Sequence, residues 1–319
     1  SRYLYTLHFE SFLGMIESKS NLKCLKKIKK IVQYLKLLNY WVIFGDNLSM
    51  KKIFTILIVL ALVLVSCQVR PTPATEQPDK KVELYVFAAA SLTETFEEIG
   101  QLFEAANPGV QVIFTFDSSG TLKTQIQEGA MADVFVSAAQ KQMNQLEVGN
   151  EANKEGLDFV QPGTRVNVVE NKVTLAVPTG NPKGVTTFAD LASENVTIIA
   201  LGNSDVPVGQ YSEELLTNLD IWEQIQSKVT FGSNVKEVTT WVAEGVADCG
   251  IVYKTDAFSA KLEVVDEAGT DLLKTPVVYP GAVMKNTQHP TEAQAFLDFL
   301  KSTEAQAVLT AVGFSIPEN

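Results

Sequence analysis

The sequence predicts an α/β protein of two lobes, each a mostly parallel sheet flanked by helices, joined by two crossover strands. Three observations carry this. From Val82 onward, short apolar runs alternate with segments whose apolar residues recur at helical spacing, the rhythm of strand–helix units in a parallel sheet. The rhythm breaks near Arg165–Pro178, where two strand-like runs follow each other. A later run, Thr275–Met284, leads back to two closing helices. Lobe 1 is therefore expected to hold residues 82–165 and 275–319, and lobe 2 residues 166–274.

What precedes the lobes is of a different kind. Met50-Lys51-Lys52 opens a basic start, an apolar run Ile53–Val65 and a small-residue exit at Ser66-Cys67, the form of a secretory signal. The run has 13 residues with Thr55 inside it, shorter than the roughly 20 that a spanning helix needs. Leu64-Val65-Ser66-Cys67 resembles a bacterial lipobox, which implies lipidation of Cys67 and an anchor on the outer face of the cell membrane. Residues 1–49 read as a non-native upstream extension, residues 50–66 as a lipoprotein signal peptide, and residues 67–81 as a tether. Gln68–Lys81 carries three prolines and no apolar periodicity, as a flexible spacer does.

Charge and cysteine content narrow the function. The first 66 residues hold 10 of the 26 Lys/Arg and 3 of the 37 Asp/Glu, so residues 67–319 carry 16 basic against 34 acidic residues and a net charge of −18. Nucleic acid is excluded as a partner for such a surface. Cysteines stand at 24, 67 and 249, and His289 is the one histidine beyond the signal. Neither a disulfide framework, nor a His/Cys metal site, nor a Ser-His-acid triad can be assembled from that set. The chain reads as a binding protein and not an enzyme, with no cofactor and no metal site.

In order, Glu83–Ala89 is a strand and Leu92–Ala106 a helix, broken by Asn107-Pro108-Gly109. Val110–Phe116 is a strand, Leu122–Glu128 a helix, Asp133–Ala138 a strand and Gln140–Val148 a helix. Val166–Val169 and Val173–Val177 form the first crossover. In lobe 2, strands are expected at 196–201, 229–231 and 249–253, and helices at 187–192, 208–219, 221–226 and 235–244, with 264–265 beginning the way back. Helices at 291–300 and 303–312 close the chain onto lobe 1.

Four helix starts and one strand end stand out. Ser91 follows Ala88-Ala89-Ala90 at the end of the first strand, and Ser119 sits in Ser118-Ser119-Gly120-Thr121. Val208 lies in Pro207-Val208-Gly209, Val235 follows Ser233-Asn234, and Tyr253 ends Gly250-Ile251-Val252-Tyr253. Each has a purely structural alternative. Ser91-Leu92-Thr93-Glu94 fits a capping box, Ser118–Thr121 a polar turn, and Tyr253 a core aromatic. Together they describe hydroxyls and helix-terminal N–H groups with no Lys, Arg or metal ligand, which suits a small, fully ionised oxyanion. An all-donor site also rejects a ligand that carries its own O–H, at about 1–3 kcal/mol. Asp117 is the complication, since a carboxylate in the cleft would accept a ligand proton or repel a dianion; alternation breaks at its turn, and it is expected to point away.

Val86–Leu92 (VFAAASL), Ser119–Leu122, Gln125–Ala130, Ala132–Ala138 and Gly250–Tyr253 resemble the molybdate-binding proteins of ABC transporters, in order and over about Val82 to Ile316. The resemblance implies a type II periplasmic-binding fold that closes on molybdate or tungstate. It implies delivery to a membrane permease with its ATPase subunit, by a monomer outside the cell membrane. It also implies ligand contacts from Ser91, Ser119, the N–H groups of Val208 and Val235, and Tyr253, with Ala90 and Ser118 as flanking second choices. Another oxyanion, phosphate or sulfate, is the alternative ligand.

Overall fold

A computed structural model describes residues 81–317. The upstream extension, the signal, Cys67 and the tether as far as Lys80 lie outside the described residues.

The chain builds two five-stranded sheets. The first contains β1 (Val82–Ala89), β2 (Val110–Asp117), β3 (Val134–Val136), β4 (Val166–Asn171) and β10 (Val277–Val283), in the order β2-β1-β3-β10-β4. The second contains β5 (Val173–Val177), β6 (Ile199–Gly202), β7 (Val229–Gly232), β8 (Cys249–Tyr253) and β9 (Glu263–Glu267), in the order β7-β6-β8-β5-β9. Helices α1 (Thr93–Ala106), α2 (Ser119–Gln127), α3 (Gln140–Leu146), α4 (Pro207–Asn218), α5 (Trp222–Ile225), α6 (Val235–Ala243), α7 (Lys254–Ser259), α8 (Pro290–Phe299) and α9 (Thr303–Ala311) connect the strands and close the chain.

Two expectations are corrected. The boundary at residue 166 fails because β4 pairs antiparallel with β10 inside the first sheet; the chain leaves that sheet at Lys172, between β4 and β5. Each sheet is mostly parallel, as expected: four of its five strands run one way, with β10 reversed in the first and β5 reversed in the second. Crossover strands that pass between two sheets must enter one of them against the direction of its helix-linked strands. Glu263–Glu267 does not begin the return either, since it pairs with β5 at the edge of the second sheet.

The closing helices pack on the first sheet's layer. Phe296 of α8 meets Phe103 of α1 edge-on at 5.3 Å and Phe96 at 6.1 Å, an aromatic arrangement favoured by ring quadrupoles. Gly281 lies within a Cβ's reach of Val168, Leu297 and Val136, the nearest atom at 3.0 Å. A side chain there would require these neighbours to give by a few tenths of an ångström.

Candidate functional site

Register places the two serines side by side. β1 and β2 run parallel in step, Val82 against Val110 and Ala89 against Asp117, so Ser91 and Ser119 each stand two residues past the same sheet edge. β3 joins in step through Ala88 against Val136, which puts Ala138 at that edge too. The second sheet repeats the arrangement with β6, β7 and β8, where Gly202 pairs with Gly232 and Ala200 with Gly250. Helix α4 follows β6, α6 follows β7, and Tyr253 ends β8. All five expected residues thus lie at or just beyond the carboxyl ends of parallel strands, where α/β sheets bind ligands.

Contacts tie these edges together. The Gly120 N–H donates to the Asp205 carbonyl at 3.0 Å, fastening the start of α2 to the loop before α4. A Cβ on Gly120 would come within 2.3 Å of that same oxygen, so only glycine allows the approach. The Tyr253 hydroxyl donates to the Ala138 carbonyl at 3.2 Å, and the Ala138 N–H donates to Ser119 Oγ at 2.9 Å. Ser91 Oγ lies 3.0 Å from the Tyr279 hydroxyl, and the rings of Tyr279 and Tyr253 are 5.7 Å apart. Lys236, next to Val235, reaches Glu94 of α1 at 2.7 Å.

The capping box is a correction. Ala89 caps the short 3-10 turn Ala90–Leu92, with no side-chain cap; the Ser91 hydroxyl goes to Tyr279 and the Glu94 carboxylate to Lys236. At α2 the cap is Ser118, whose Oγ accepts the Thr121 N–H at 3.1 Å, so Ser119 is not needed for that work. Asp117 is half-buried, and its carboxylate accepts the Ser118 N–H at 2.7 Å.

The chemistry left over is that of donors. Ser119 is fully buried and accepts through Oγ, yet its hydroxyl hydrogen meets no acceptor among the described residues. The buried N–H groups of Val208 and Val235, in the first turns of α4 and α6, likewise have no partner among the described residues. Buried N–H groups are rarely left unpaired. Tyr253 differs, because its proton is already given to Ala138. Burial pushes the Tyr253 and Tyr279 hydroxyls well above the usual phenol range, so both stay protonated. No group of His, Cys, Asp and Glu able to hold a metal occurs among the described residues. Two pockets among the described residues lie elsewhere; one of about 120 Å³ is lined by Tyr85, Asp133 and His289.

Residues 84–315 match the family described as bacterial extracellular solute-binding proteins. The chain is a bacterial extracellular solute-binding protein. Among solute-binding relatives, a putative ABC transporter substrate-binding lipoprotein of Bacillus subtilis is 38% identical over 74% of this chain and 88% of its own length. A molybdate-binding protein of Haemophilus influenzae is 36% identical over 72% of this chain and 89% of its own. The periplasmic molybdate-binding protein of Azotobacter vinelandii superposes with a TM-score of 0.63 at 25% identity, covering 74% of this chain and all of that one.

Three buried polar residues near these strand ends escape a sequence reading. Asn171, Tyr279 and Asp256 are all buried. Tyr279 sits where the β4–β10 register slips at Tyr279/Pro280, and a bulge of that kind re-aims side chains. The Pro280 ring, inside an otherwise strand-like run, was the available signal. Asp256 stands in α7, a helix whose N-cap is Tyr253 itself.

Proposed function

We propose that this chain binds molybdate, and tungstate with it, outside the cell membrane and hands it to an ABC permease driven by its ATPase subunit. It does so as a lipid-anchored monomer held through Cys67, and without catalysing a reaction. One observation carries the reading: Ser119, Val208 and Val235 keep hydrogens unspent at converging strand ends, in a site with no cationic side chain among its proposed contacts. Donors fixed in place suit an anion whose oxygens all accept. Leaving out a formal positive charge keeps release feasible when two lobes part, a familiar use of hinged closure. The relatives' names support the choice of anion and of transporter, and the Bacillus protein's name supports the lipid anchor.

Calorimetric titration of the purified protein with molybdate, tungstate, sulfate and phosphate tests this. The expected result is tight binding of the first two, about micromolar or better, with sulfate and phosphate undetected. Preference for sulfate or phosphate would replace the assignment with the alternative oxyanion.

A further inference from the structure

We infer that Asn171 and Tyr279 form a one-way hydrogen-bond relay that fixes the Ser91 hydroxyl as a donor, making them positioning residues that set selectivity against protonated oxyanions. This rests on the oxyanion reading of the site. The relay begins at a backbone group that cannot reverse. The Lys172 N–H donates to Asn171 Oδ1 at 2.9 Å, so the amide NH₂ must face the other way. Its Nδ2 donates to Thr255 Oγ1 at 2.9 Å and to the Tyr279 hydroxyl oxygen at 3.2 Å. Asn171, Thr255, Tyr279 and Ser91 are all at least nine-tenths buried, so water cannot relax the order.

Tyr279 then has an occupied acceptor side and one proton to place. Ser91 Oγ, 3.0 Å away, is its one acceptor among the described residues. Were Ser91 instead to donate to Tyr279, the phenol hydrogen would be buried without a partner, a costly arrangement in a fold. The favoured order therefore runs from Lys172 N–H through Asn171 and Tyr279 to Ser91 Oγ. It leaves the Ser91 hydrogen for a ligand oxygen. Burial, the largest influence on the Tyr279 hydroxyl, keeps it protonated.

Ser119 reaches the same state by a shorter route, because the Ala138 N–H occupies its oxygen. With one hydrogen bond already accepted by each serine oxygen, each hydroxyl keeps its hydrogen for the ligand and meets it as a donor. An anion bearing an O–H must then set that hydrogen against another donor. The bulge at Tyr279/Pro280 aligns the relay, bringing a β10 side chain onto a residue 188 positions earlier in sequence.

The test compares the wild-type chain with Tyr279→Phe and Asn171→Asp. Tyr279→Phe keeps the ring against Tyr253 and Phe314 and removes only the hydroxyl. Asn171→Asp keeps an acceptor for Lys172 N–H but turns the second oxygen into an acceptor that draws the Tyr279 proton away from Ser91. Each is titrated with molybdate, and phosphate is measured as a competitor at concentrations high enough to give an affinity or a lower limit on Kd, at about pH 8, where both anions are largely divalent, so that added charge repulsion cancels in the ratio. Melting temperatures are taken in parallel. The relay predicts molybdate affinity down about tenfold in each variant, phosphate affinity unchanged or higher, and a selectivity ratio down by at least that factor. Equal losses for both anions, or no change in either, in a folded variant would overturn the relay while leaving the oxyanion reading intact. A wild-type chain that binds no molybdate would overturn that reading and the relay with it.

Discussion

Ser91 and Ser119 look alike in the sequence and are held by different means. One oxygen faces a phenol from the far end of the chain and the other a neighbouring backbone amide. Hydrogen bonds to a charged partner contribute roughly 1.5–3 kcal/mol each. Ser91→Ala and Ser119→Ala should therefore each lower molybdate affinity at least about tenfold, and the pair together at least about a hundredfold; each should also lower the melting temperature, because the buried Tyr279 hydroxyl or Ala138 N–H loses its acceptor. A double variant that titrates like wild type would remove both residues from the site. The serines were legible in the sequence because small residues and hydroxyls interrupted apolar runs. Their partners were not. Ser91-x-x-Glu94 satisfies the local pattern of a capping box, yet both side chains bond to residues more than 100 positions away. Local spacing carries no trace of a competitor that arrives through tertiary structure.

At the scale of elements, the starts of α2, α4 and α6 are set by strand register, while α6 and α7 hold a buried charge between them. Lys236 of α6 lies 2.7 Å from Glu94 of α1 and 3.3 Å from Asp256 of α7. Asp256 is fully buried, and neither of its oxygens has a well-directed hydrogen bond. Burial pushes its carboxyl up to about 6, against the pull of Lys236. A carboxyl raised in the fold is stabilising while protonated. Its contribution is complete below the unfolded value of about 4 and is lost as pH rises through about 6. Over that window this group should withdraw on the order of 2–3 kcal/mol. Thermal melts from pH 4 to pH 8 should show wild type losing ground to Asp256→Asn as pH rises. A difference between the two that stays flat across the window would contradict this. The strands and long helices here were legible from periodicity. The placement of β4 was not, because a crossover strand has the same apolar pattern whichever sheet it joins, and only pairing with β10 decides it.

At the scale of the whole molecule, two sheets aim the carboxyl ends of their parallel strands at common ground, and the Gly120–Asp205, Tyr253–Ala138 and Lys236–Glu94 contacts join the edges there. An order of strands that places three parallel neighbours in step gives each sheet a row of turns, and two rows facing each other supply more donors than either could alone. On the proposed reading, an anion gripped by both rows would be released by separating them. The most direct measurement is the anomalous diffraction signal of molybdenum in crystals of the protein grown with molybdate. The account predicts one strong peak within hydrogen-bonding reach, through its oxygens, of Ser91 Oγ, Ser119 Oγ and the N–H groups of Val208 and Val235. A peak elsewhere, such as the pocket beside Tyr85 and His289, with none at the serines, would contradict it.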